Sequence, residues 1–158
     1  MPENRAYPPE GLTPPAPYTL AELRSAMESR AVVEGVAQRC DAALNLSVQL
    51  GRISAIMPRE EATAPWISGA NREIAVLSRV GKPICCTVES IAADAKGAPL
   101  VTVSRRQAQE QAMDAMLESL RPGSVVAGRV VRTESFGAFV DIGRGIVALL
   151  PTEFISAA

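Results

Sequence analysis

The sequence contains no histidine, which removes the most common general base and the most common neutral metal ligand from its chemistry. Cysteine is scarce as well. Cys40, Cys85 and Cys86 are odd in number, and neighbours on a strand point to opposite faces, so neither a disulfide framework nor a metal-ligand spacing is visible. Reduced, partly buried thiols are expected. With no CxxC and no phosphate-cradling glycine loop, an enzyme would have to rest on Cys85-Cys86 or on scattered carboxylates. A non-catalytic protein with no cofactor and no metal is therefore expected. No apolar run approaches the roughly 20 residues of a bilayer-spanning helix. The N-terminus places Pro2, Glu3 and Asn4 where a secretory signal needs an apolar stretch, so a cytoplasmic protein without a membrane partner is expected.

Excess charge is also missing. The formal net charge is -1, so bulk electrostatics do not draw the chain toward phosphate backbones, and any grip on nucleic acid must be local. Lysine is rare among the 16 basic residues, which are otherwise arginine. The flat arginine fork clamps phosphate and stacks on bases, although a GC-rich coding bias gives the same ratio. What the chain does have is apolar content, 47%, enough to bury a core in one or two domains.

Prolines crowd the start. Pro8-Pro9 and Pro14-Pro15-Ala16-Pro17 mark residues 1–18 as an extended, disordered leader. Thr19 to Glu22 then forms a capping box, which predicts a helix over 19–30 with Leu20, Leu23 and Met27 on one face. After Arg30 the pattern changes to short β-rich runs: Val32 to Arg39, Leu46 to Leu50, Ile53 to Met57, Ile84 to Ile91 and Leu100 to Val103. Five such strands predict a small barrel over 31–104. Between the third and fourth, Ile67, Ile74, Leu77 and Val80 predict a helical turn or two closing its bottom. A second capping signal at Ser104 to Gln107 opens a linker helix over 105–121, whose apolar face is expected at Met113, Met116, Leu117 and Leu120. Trp66 and Tyr18 stand alone and are expected to be packing residues.

The strands after Gly123 replay those after Arg30. Val32-Val33 and Gly35 recur as Val125-Val126 and Gly128; Val48, Leu50 and Gly51 recur as Val140, Ile142 and Gly143; Ile53, Ala55, Pro58 and Glu60 recur as Ile146, Ala148, Pro151 and Glu153. The interval slips by a single residue only in turns, which a shared fold tolerates, whereas a slip inside a strand would reverse its faces. The expectation is a tandem array whose second copy, residues 122–158, lacks its last two strands, with a truncated fragment as the simplest explanation.

The segment from Pro122 to Pro151 resembles the opening three strands of the S1 RNA-binding motif family. Gly123 starts it, Gly128 sits in its first strand, and Phe136-Gly137-Ala138-Phe139-Val140-Asp141 is similar to the family's best-known signature. The first copy is a degenerate relative that supplies later features: Val80-Gly81-Lys82, Asp94 with Lys96-Gly97, and Val103-Ser104-Arg105-Arg106. The resemblance implies a mostly β protein with linker helices: a five-stranded OB-fold (S1-type) barrel followed by a partial second one. It also implies non-catalytic binding of single-stranded RNA or mRNA, associated with the ribosome or translation, as in ribosomal protein S1. On that reading Phe136 and Phe139 stack on bases while Arg129, Arg132 and Arg144 meet phosphates. The chain departs from the family at Pro151, where a histidine is frequent, and at Leu44 and Ser47, which occupy the aromatic positions of the first copy. An alternative is a protein-interaction module in which the degenerate barrel and the methionine-bearing helix dock a protein or ribosomal partner.

Overall fold

The computed structural model describes residues 7–12 and 16–155. The capping box is made as the sequence predicts. Thr19 Oγ1 accepts the Glu22 N–H at 3.2 Å and Glu22 Oε2 accepts the Thr19 N–H at 2.9 Å. Helix α1 (Leu20–Ser29) follows, is ended by Arg30 in the left-handed region, and buries Leu23 and Ala26.

The five strands read from the sequence form β1 (Val32–Cys40), β2 (Leu46–Leu50), β3 (Ile53–Met57), β4 (Pro83–Ala93) and β5 (Pro99–Ser104). They close into a barrel of order β1-β2-β3-β5-β4, with β3 and β5 parallel and every other pair antiparallel. Alternation fixes what the barrel encloses. Leu46, Val48 and Leu50 of β2 are buried while Ser47 and Gln49 between them are less so. Gly35 makes close winding possible, because a Cβ there would stand 2.5 Å from Gln49 O and 2.8 Å from Leu50 Cδ2.

Helix α2 (Ala70–Leu77) fills the interval between β3 and β4, as expected, but its buried residue is Val76. Ile74, Leu77 and Val80 are exposed instead of closing the barrel. Helix α3 (Arg105–Ser119) also departs from its apolar pattern. Its inward face carries Arg105, Ala108, Gln109, Ala112 and Met116, while Leu117 is 73% exposed. The small alanines let the helix lie close on its neighbours, and the two polar residues find partners there, so apolar periodicity alone misplaces the face. Met116 is covered by Tyr7, Ala112 and Ile146 and is not presented for docking.

Beyond α3, β6 (Arg129–Glu134), β7 (Gly137–Asp141) and β8 (Val147–Pro151) form an antiparallel three-stranded sheet. This sheet is open, with β6 and β8 as its edges, and the second unit is not a closed barrel among the described residues.

The solvated leader expected over residues 1–18 needs correction where the chain is described. Tyr7 packs with Met116 and Ile146, and Glu10 is buried. Pro17 and Tyr18 cross over Gly51 so closely that a Cβ there would lie 2.8 Å from Pro17 Cα. Proline-fixed backbone loses little freedom on ordering, so such a segment serves as a strap once it has an anchor. Glu10 is that anchor. The rest of the predicted leader, residues 1–6 and 13–15, lies outside the described residues.

Candidate nucleic-acid interface

The β6–β7 hairpin turns through Ser135 and Phe136. Its turn is pinned from β8's end: the Thr152 N–H donates to Phe136 O at 3.0 Å and Thr152 Oγ1 donates to Ser135 O at 3.1 Å. Gly137 is buried against the Leu150 backbone and the Leu149 side chain, leaving no room for a Cβ. The Phe136 side chain is thereby held at the hairpin tip, 56% exposed.

Strand register brings three of the five residues picked from the sequence together. Arg132 lies directly across from Phe139, and its guanidinium carbon sits 4.4 Å from the Phe139 ring centroid. Phe136 and Phe139 meet edge to face, centroids 6.1 Å apart with an interplanar angle of 87°. Arg132 Nε also lies 3.4 Å from Glu134 Oε1, an exposed pair worth little in water and readily exchanged for another anion. The cluster therefore offers an exposed aromatic surface beside a cation, the combination that stacks a base and holds its phosphate.

The other two residues are elsewhere. Arg129 is drawn to the strap, its Nη1 donating to Glu10 O at 2.9 Å. Arg144 lies at the junction between barrel and sheet, apart from the aromatic cluster. Its φ is 50°, its N–H donates to Pro8 O at 2.9 Å, and its carbonyl accepts from Gln109 Nε2 at 3.1 Å. Its side chain is nearly buried, with Nη1 3.9 Å from Glu34 Oε1. In the barrel, Leu44 packs toward the core and Ser47 is half-buried on β2, so the equivalent region offers no aromatic surface.

The polar network at the junction has no signature in the sequence. Glu10 receives two parallel 2.9 Å hydrogen bonds from Arg105, one from the Cys85 N–H at 2.8 Å, and an ion pair from Arg79 at 3.3 Å. Burial pushes the Glu10 carboxyl up, but the charge and hydrogen bonds of Arg105, the charge of Arg79 and the Cys85 N–H outweigh it and hold the group at about 2. Asp141 closes the other side, accepting the N–H groups of Glu10 at 2.8 Å, Gly143 at 2.9 Å and Gly145 at 3.1 Å. Burial nonetheless leaves its carboxyl raised. Glu34 is raised too, by burial and by the nearby Glu10 charge, although the Gly11 N–H opposes the shift. All three cysteines are free; Cys86 faces the barrel core, and Cys85, on the opposite face of β4, lies beneath the strap. Burial raises both of the β4 thiols above their ordinary range.

No curated protein matches the chain. Residues 119–158, which contain the whole three-stranded sheet and its aromatic cluster, match the S1 RNA binding domain family, and that match points to RNA binding.

Proposed function

We propose that this chain binds single-stranded RNA without catalysis, through the β6–β7 surface formed by Phe136, Phe139 and Arg132. The observation that carries this reading is the half-exposed Phe136 ring, held at a pinned turn beside an arginine-covered Phe139, within the segment that matches an RNA-binding family. Stacking is tolerant of base identity, so little sequence preference is expected. In this reading the protein works in the cytoplasm on mRNA and near the ribosome, in a manner similar to ribosomal protein S1.

We also propose that the barrel and the sheet descend from one duplicated unit, the barrel having lost its aromatic surface. Local geometry supports this. The irregularity between Ala37 and Arg39 in the β1–β2 ladder has its counterpart between Val130 and Arg132 in the β6–β7 ladder. Leu46 pairs with Met57 as Ala138 pairs with Leu150, and a short 3-10 turn follows at Arg59–Glu61 and at Thr152–Phe154. Gly35 and Gly128 each approach the matching pair of strand residues, Val48 and Leu50 in one case and Val140 and Ile142 in the other.

The test is equilibrium binding of labelled oligouridine. Replacing Phe136 and Phe139 by Ala removes stacking worth about 1 to 3 kcal/mol per base, which weakens binding by at least fivefold. Unchanged affinity in the folded double variant refutes the reading.

A further inference from the structure

A cleft of about 570 Å³ separates the barrel side of the molecule from the β6 and β8 end of the sheet. Four cationic side chains line it, Arg79, Lys82, Arg105 and Arg129, against two acids, Glu10 and Asp141. The acids are already engaged: Glu10 is clamped by Arg105, and Asp141 accepts three backbone N–H groups. Arg79 and Arg105 both face Glu10, so the exposed cations of the lining are Lys82 and Arg129. Lys82 is exposed and makes no ion pair among the described residues. The buried Nε of Arg79 has no hydrogen-bond partner among them either, and a buried donor in that state favours any ligand that brings an acceptor. Arg129 uses Nη1 on Glu10 O and keeps further donors on its guanidinium.

The cleft also holds Trp66, which the sequence suggested as a packing residue and which is 46% exposed. Tyr18, the other isolated aromatic, does pack, lying against the barrel core. An exposed indole beside unneutralised cations is what a nucleotide needs, a flat surface for the base and charge for its phosphate. The position matters as well. Arg129 pairs across from Asp141, and Arg132 from Phe139, two residues apart along β7 and therefore on one face of the sheet. That face leads from the aromatic cluster to the cleft.

We infer that the cleft is a second RNA-contact site that continues the track from Phe136 and Phe139, with phosphates at Lys82 and Arg129 and a base against Trp66. The inference rests on the RNA-binding reading above and extends it to the barrel side of the molecule. A short oligomer fills the aromatic cluster alone, whereas a longer one reaches both places.

Trp66 is the single tryptophan of the chain, so its fluorescence reports on this site directly. The experiment titrates the full chain with oligouridines of about 4 and about 16 nucleotides, the ends of the range that OB-type domains occupy. The longer oligomer is expected to quench Trp66 emission. Trp66→Ala should weaken its binding by roughly fivefold or more, while Trp66→Phe, which keeps a ring, should retain most of the affinity. Lys82→Gln should weaken binding of the longer oligomer and lower its salt dependence by about 0.7 in log-log slope for the lost phosphate contact. Neither change should alter binding of the short oligomer. Trp66 emission unchanged by the longer oligomer, together with affinity indifferent to Lys82→Gln and Trp66→Ala and still dependent on Phe136 and Phe139, overturns the cleft site alone. Failure of both oligomers to bind, or binding indifferent to the phenylalanines, overturns the RNA-binding reading beneath it.

Discussion

Replacing Glu10 by Leu should unlatch the sheet from the barrel. The Glu10 side chain is 3% exposed and that of Arg105 5%, so solvent screens their pairing little. Removing the carboxylate strands Arg105, leaves Arg79 beside a like charge, and takes the acceptor from the Cys85 N–H. Breaking a buried pair from one side costs about 3 to 5 kcal/mol. The carboxyl's own displacement, from 4.5 to about 2, gives a consistent figure of about 3 kcal/mol. Urea unfolding followed by circular dichroism measures the loss. Hydrogen exchange then locates it, with amides of β6, β7 and β8 losing protection before those of the barrel core. Pairing Glu10→Leu with Arg105→Met should cost less than Glu10→Leu alone, because no uncompensated guanidinium is left at that position. A loss below about 1 kcal/mol for the single variant would refute the latch, as would equal loss of protection in barrel and sheet.

Acid should act through the same group. The Glu10 carboxyl is held below its unfolded value of 4.5, so its contribution is complete above that pH and is lost as pH falls toward about 2. Glu34 and Asp141 are raised, so their protonation favours the folded state, while Glu61 and Asp41 are lowered and add to the acid loss; that loss below pH 4.5 should be distinctly steeper in the wild type than in Glu10→Gln, as read by unfolding at stepped pH. Arg132→Ala should weaken oligouridine binding and leave the melting temperature nearly unchanged, whereas Arg144→Ala should do the opposite, given its place at the junction. Gly35→Ala should destabilise the barrel by about 1 to 3 kcal/mol in urea unfolding, since the added carbon meets Gln49 O and Leu50. Thr19→Ala removes the side-chain half of the α1 capping box, the Oγ1 that accepts the Glu22 N–H, and should cost about 1 kcal/mol by the same measurement.

The barrel was legible because each of its strands carries its own signal. Alternation in β2, the Lys96-Gly97 turn before β5 and the caps of α1 and α3 are local, and local rules place them to within one or two residues. The aromatic cluster was legible through the resemblance of Phe136 to Asp141 to a family signature, and the strand register of the structure then sets Arg132 opposite Phe139. The junction was not. A single acid among prolines has no periodicity, and nothing near Glu10 in sequence announces Arg105, 95 residues away. Buried polar residues also mislead an apolar pattern: Arg105 and Gln109 rotate the inward face of α3 away from Leu117. The family resemblance assigns Arg144 to phosphate, but flanking Gly143 and Gly145 let its turn fold back against the strap.

The strap should also bear on RNA binding. The three-stranded sheet leaves Val130, Leu149 and Leu150 exposed and has two open edges, so its position relative to the barrel depends on the junction that Glu10 and Asp141 make. If the cleft and the aromatic cluster form one track, an RNA that spans both requires them to be held in register. A strand filling only the aromatic cluster has no such requirement. Loosening the latch lowers the fraction of molecules in the spanning arrangement, and apparent affinity falls in proportion to that fraction. Glu10→Leu should therefore weaken the longer oligouridine while the short one, which sees only Phe136, Phe139 and Arg132, binds as before. Equal weakening of both would mean that the aromatic cluster itself depends on the latch, and equal retention would mean that RNA never bridges the two units.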